Sequence, residues 1–241
     1  MKTFIILLKT EMLMAVREFS GVLFGILLPA GITLLLGFIY SGSSGGGRGL
    51  QQAFGGLAAA GLCSFGLMGF PLTMADYRGK KILKSFKLTP VSPFVLLSAM
   101  ASSNLIFSLL SLLLVSGIAV FVFGFSPGGS LLVFMALYLF AAGSVFATGM
   151  LIAGIASDYR KAGILCSAVF FPAFFLSGTT VPADIMPRGL RIAAEFLPLT
   201  QAVKLLSSAS QGLPLDRGAV IITAAVFAAG VFLSIKTFRW E

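Results

Sequence analysis

The sequence predicts an all-α integral membrane protein with six transmembrane helices and an amino-terminal interfacial helix, and three observations predict it. Of its 241 residues 58% are hydrophobic and 10% charged, with a mean hydropathy of +1.03, against roughly 45–50% apolar and about 25% charged in soluble domains. Long stretches carry no charge at all, several of them near the roughly 20 residues that cross a hydrocarbon core of about 30 Å. The remaining charge, 17 Lys and Arg against 8 Asp and Glu, is gathered into short segments between those stretches.

Taken in order, residues 3–19 predict an interfacial helix. Phe4, Ile5, Leu8, Met12, Ala15, Val16 and Phe19 share a charge-free face, with Lys9, Glu11, Arg17 and Glu18 off it. The apolar run inside it is too short for a cleaved leader. Span one covers about 21–40. The Gly/Ser run Ser41 to Gly49 reads as a flexible polar connector; it is no phosphate loop, because Arg48 and Gly49 stand where Lys and Ser/Thr are required. Span two covers about 53–75, with Gly56, Ala60 and Ser64 spaced for close helix packing.

Asp76 to Pro93 is the one dense run of charge, carrying Arg78, Lys80, Lys81, Lys84 and Lys87. On a wheel the lysines cover one arc while Ile82, Leu83 and Phe86 fall on the other, which predicts a short amphipathic helix that stops at Thr89-Pro90. Spans three and four cover about 95–125 and 131–156, joined by the turn Ser126 to Gly129. Ser157 to Lys161 is a charged turn, and a short fifth span at about 162–177 contains Pro172. A proline- and glycine-punctuated stretch from Ser177 to Gly218 leads to span six at about 219–236. The chain reads as a single transmembrane domain over 1–241.

Basic residues set the expected orientation. With the amino terminus inside, the cytoplasmic pieces hold twelve Lys and Arg and the outer pieces hold five. Both termini are therefore expected in the cytoplasm. The positive balance does not point to nucleic acid, since no basic patch is interleaved with stacking aromatics. No histidine is present, the acids show no paired spacing, and Cys63 and Cys166 sit inside apolar runs as packing residues. Nothing supports a catalytic or metal centre, and no cofactor is expected on this chain. Apart from Lys236 at the very end of span six, the spans lack Asp, Glu, Lys and Arg, which counts against a proton-coupled carrier. In span three, Asn104, Ser108 and Ser111 lie on one face, serving either interhelical hydrogen bonds or a substrate path.

One set of residues resembles a known family. The run Phe174-Phe175-Leu176-Ser177-Gly178, then Val181-Pro182, Met186-Pro187 and Phe196-Leu197-Pro198-Leu199-Thr200, is similar to the signature of ABC type-2 permeases, the membrane subunits of ABC exporters. The resemblance extends over the whole order of elements. It implies short outer re-entrant helices between Ser177 and Gly218, marked by Ser177, Gly178, Pro182, Pro187, Pro198 and Thr200. It implies ATP and Mg on a separate ATPase subunit, a second permease copy, and export of a hydrophobic or amphipathic substrate across a prokaryotic cytoplasmic membrane. Spans one, two and five are implied as dimer and pathway elements. Tyr77 to Lys87 matches the position of a coupling helix, which assigns ATPase contact to Tyr77, Arg78, Lys80, Lys81, Leu83, Lys84, Phe86 and Lys87, with Asp158 and Arg160 as a second contact. The chain departs from the family pattern in flanking Gly79 with Arg78 and Lys80, where an acidic residue is common. A gradient-driven carrier and a non-transporting membrane scaffold are the alternatives.

Overall fold

A computed structural model of the chain describes residues 2–17, 19–41, 46–83, 93–178 and 186–237. Among the described residues the regular elements are all helical. Helix α1 is Lys2–Arg17 and α2 runs over 19–41. Helix α3 runs over 46–79, and α4 is Pro93–Phe123. Helices α5 and α6 are Leu131–Ile155 and Tyr159–Leu176, the short helices α7 and α8 are Arg188–Glu195 and Pro198–Gln211, and α9 is Arg217–Thr237. Six of these contain a segment long and apolar enough to cross a membrane: Leu23–Ser41, Gly49–Gly79, Val95–Phe123, Leu131–Ile155, Tyr159–Leu176 and Arg217–Ser234.

Helix α3 is the axis of the fold. In its most apolar stretch 83% of residues are buried inside the chain, against 22–39% for the other five spans. Helices α2, α4, α5, α6 and α8 pack around it. Leu57, Ala58, Ala59, Leu62 and Cys63 of α3 meet Leu112, Val115, Tyr138, Val145, Phe174 and Leu206 in one core. Small residues along α3 let the neighbouring backbones approach, which is how helices gain packing contacts where lipid removes the hydrophobic drive. The peripheral helices keep apolar side chains outward, among them Leu35, Phe38, Leu113, Phe121, Ile221 and Phe232. Outward apolar faces around an enclosed core suit lipid as the solvent.

The Gly/Ser connector is shorter than the sequence suggests. Residues 46–49 already belong to α3, and residues 42–45 lie outside the described residues.

Two helices carry a π turn, and one local cause explains both. In α2 the π turn is Leu23–Leu27 and Pro29 follows; in α3 it is Ser64–Gly69 and Pro71 follows. A proline has no N–H to give, so a carbonyl one turn earlier loses its donor. The backbone responds by widening: Leu28 N–H bonds to Leu23 O, and Phe70 N–H to Phe65 O. That leaves the Phe24 and Gly66 carbonyls facing Pro29 and Pro71 in the five-residue register. Ser64 Oγ, on the other π turn, donates to Phe24 O at 3.1 Å. The Gly66 carbonyl is turned onto Gly149 of α5, so closely that a side chain at 149 has no room. Gly25 is equally tight against the Phe65 ring. The two π turns thus lie against each other near the middle of the bundle.

Candidate functional site at the two ends of the central helix

The end of α3 bearing Lys80 and Lys81, called here the basic end, is built by local capping. Helix α3 runs to Gly79, and the chain then turns through Lys80 and Lys81 before helical geometry resumes at Ile82. Lys81 sits at φ 57, in the left-handed region. The single helix expected over Tyr77 to Lys87 is therefore broken: Tyr77 to Gly79 close the second span, and helical geometry resumes at Ile82 and Leu83. The break arises because Lys81 N–H bonds back to Arg78 O and Lys80 N–H to Asp76 O, winding off the last turn of α3.

Three residues expected to face a partner point inward. Tyr77 is buried, and its hydroxyl donates to Glu11 Oε1 at 2.7 Å. Glu11, placed by the wheel on the polar side of α1, is the buried residue of that helix; its carboxylate accepts from α3 while the helix itself lies along α4. Arg78 is buried as well, and its Nη1 donates to the carbonyls of Ala153, at 2.8 Å, and Ala156. Those are terminal carbonyls of α5, which lack intrahelical donors and carry the negative end of the helix dipole. Leu83 is 2% exposed, packed with Phe70, Met74, Tyr77, Leu96 and Met100. A buried leucine cannot insert into another protein's groove without leaving this cluster. Lys80 and Lys81 do face outward, Lys80 paired with Asp76 at 2.7 Å. Lys84, Phe86 and Lys87 lie outside the described residues.

Beside this turn lies the start of α6. Asp158 caps it, accepting from Lys161 N at 2.9 Å. That backbone bond, with the Ser157 hydroxyl and the Lys161 charge, holds the Asp158 carboxyl below its ordinary range. Arg160 is exposed. Because Arg78 grips Ala156, two residues before Asp158, the two charged turns are tied together.

A cleft of about 420 Å³ opens at the same end, between α1, α2, α3 and α4. Asn104 of α4 lines it. Ser108 and Ser111 do not: both are buried, Ser108 bonding Leu105 O through its hydroxyl and receiving Tyr138 OH on its carbonyl. The polar stripe on α4 therefore divides, with one residue in a cleft and two in helix contacts.

At the opposite end a second cavity of about 480 Å³ lies between α2, α3, the end of α6, α7 and α8. Ser177, Gly178 and Thr200 line it. Pro187 and Pro198 lead α7 and α8, where a proline's fixed φ suits a helix start; Pro182 lies outside the described residues. Gly178, at φ 85, turns the chain away from α6. Lys204 pairs with Glu195, and Gln201 donates to the Glu195 carbonyl, clipping α7 to α8. The Lys204 ammonium holds the Glu195 carboxyl below its usual range. Thr200 Oγ1 is buried with no partner among the described residues. Sequence reasoning missed Glu11, Gly25 and Pro71; the prolines at 29 and 71, each inside a charge-free run, were the available signal for the π turns.

A polytopic helical membrane protein results, with one enclosed helix joining a cavity at each end, an arrangement suited to moving something across a membrane. The family model for ABC-2 type transporters matches residues 2–209, so the chain belongs to that family; helix α9 falls beyond the match. The chain is thus an ABC transporter permease, the membrane component of a transport system. No curated protein matches it closely enough to be named as a relative.

Proposed function

We propose that this permease is driven by separate ATP-hydrolysing subunits and exports a hydrophobic or amphipathic substrate, working with a second permease copy in a prokaryotic cytoplasmic membrane with both termini inside. The observation that carries the proposal is the tie between the basic turn and the core. Exposed Lys80 and Lys81 stand at the end of the most enclosed span, the helix that α2, α4, α5, α6 and α8 pack around. Permeases of this family pair with ABC ATPases, and a push on that turn moves α3 directly. Arg78 links the same turn to α5 and Tyr77 links it to α1, so these two serve coupling from inside the fold. Lys80, Lys81, Lys84, Phe86, Lys87, Asp158 and Arg160 form the outward contact. Of spans one, two and five, α3 is enclosed, and α2 and α6 keep outward apolar side chains, as α4, α5 and α9 also do, so α2 and α6 are the ones assigned to meet a second copy. Helices α7 and α8 dip into the outer leaflet, with Ser177, Gly178 and Thr200 at its exit cavity.

The test is a pull-down of the tagged chain from mild detergent, with ATP hydrolysis measured on what comes with it. A stoichiometric ATPase is expected, and the double variant Lys80→Glu/Lys81→Glu is expected to lose it while inserting normally. Solute transport by the reconstituted chain alone would overturn the reading in favour of a gradient-driven carrier.

A further inference from the structure

The cleft at the basic end has a vertical order. Its floor is aromatic and thioether-lined, with Phe24 and Phe65 from the two π turns, Phe107 from α4 and Met68 from α3. Among the described residues its mouth carries both signs of charge: Arg17, and Asp76 paired with Lys80 at 2.7 Å, with Glu11 buried just inside beneath the Tyr77 hydroxyl. Asn104 stands between the two, its Nδ2 spent on Met100 O at 3.0 Å and its Oδ1 without a donor among the described residues. From Ser64 to Lys80 along α3 is about 24 Å at 1.5 Å per residue. Half of a bilayer with its headgroups is about 20–22 Å. The cleft therefore reaches from the surface to the membrane's middle and no further, because residues 54–63 of α3, beyond its floor, are buried.

We infer that this cleft binds one single-chain amphiphile with a zwitterionic head, drawn from the leaflet on the basic side, and that it is the loading end of the transport path. Head and tail both have a counterpart. A mouth with both signs of charge suits a head carrying both and penalises a purely anionic one. At about 420 Å³ the space lies in the lower part of the range for drug-sized ligands, roughly 300–1,000 Å³, which admits one chain and not two. The backbone supports the shape. The widened π turns set Phe24 and Phe65 at the floor, and Gly25 lets the Phe65 ring lie against α2 instead of filling the cleft. The direction of loading rests on the exporter reading above; the binding itself does not.

Gly21 supplies a clean test. It lines the cleft, and a Cβ built on it meets nothing within 4 Å, so Gly21→Leu adds volume there from an unobstructed Cβ. Gly31, on the same helix, is equally open and does not line the cleft, so Gly31→Leu is the control. The full chain in phosphatidylcholine/phosphatidylglycerol nanodiscs is photolabelled with lysophosphatidylcholine carrying a diazirine in its chain. Saturable labelling is expected near Phe65, Met68 and Phe107, competed by unlabelled lysophosphatidylcholine. It should fall at least tenfold in Gly21→Leu and stay unchanged in Gly31→Leu. Labelling confined to outward residues such as Leu113 and Phe121 and not competed, which is bulk lipid only, would overturn the inference, as would equal labelling of Gly21→Leu and wild type. Neither result touches the ATPase pull-down, so the two readings fail separately.

Discussion

At the basic end of α3 the cavity is shaped by backbone: two prolines displace hydrogen bonds, two π turns absorb the change, and Ser64 and Gly149 accommodate the displaced carbonyls. At the other end the cavity lies among short helices held by a part-exposed ion pair, Lys204 with Glu195. The contrast teaches where this fold can bend cheaply. A displaced carbonyl inside a membrane has no water to turn to, so each must meet a specific neighbour. An ion pair at a surface has water as a substitute and holds loosely. The basic end should therefore be intolerant of change, and the opposite end forgiving.

The largest effect that sharpens this contrast is expected at Gly149. Gly149→Leu drives a side chain into the Gly66 carbonyl, and a loss beyond about 3 kcal/mol is expected from overpacking against backbone, read as failure to fold in a detergent thermal-shift assay. Arg78→Ala comes next. It removes the charged donor from the Ala153 and Ala156 carbonyls and should cost about 2–4 kcal/mol; a shift below about 1 kcal/mol would place the stability of this end elsewhere. Ser64→Ala leaves the Phe24 carbonyl without its donor, and Tyr77→Phe takes one donor from Glu11. Each should cost about 1–2 kcal/mol, with Tyr77→Phe also raising hydrogen exchange in α1, which it helps to dock.

The smallest effect belongs to the opposite end. Lys204→Met should cost less than about 1 kcal/mol, since both partners are partly exposed. Its pH dependence has a definite sign. A carboxyl whose folded pKa is depressed stabilises the fold above its ordinary value of about 4.3, and that contribution is lost as pH falls through the depressed folded value. Wild type and Glu195→Gln should thus differ in thermal shift at neutral pH and converge under acid. A difference that persisted at low pH would mean that Glu195 acts through shape and not charge.

Much of the basic end was hidden from sequence for one reason. A helical wheel sorts residues by polarity, and it put Glu11 on a wet face and Leu83 on a face free for a partner, while the family resemblance set Arg78 in the partner contact. Burial reversed that for Glu11 and Arg78, because Tyr77 and the α5 carbonyls give their charged groups partners inside the fold. Leu83 went inward because Phe70, Leu96 and Met100 converge on the same point, a convergence of segments that no local window contains. The outer signature fared differently. Ser177, Gly178 and Thr200 share one cavity, and Pro187 and Pro198 stand where new helices start, since a proline's effect is local and travels with the sequence.

By itself the sequence determined that the chain lives in a membrane as six apolar helices, because hydrophobic length and charge position are properties of a segment and its solvent alone. It also carried Pro187 and Pro198, at which the structure starts α7 and α8. Tertiary structure decided which span is enclosed, which charges are buried, and that two π turns meet beside a cleft. Those outcomes depend on which carbonyl faces which side chain across helices forty or more residues apart, as Ser64 faces Phe24, and pairing at that distance is set by packing.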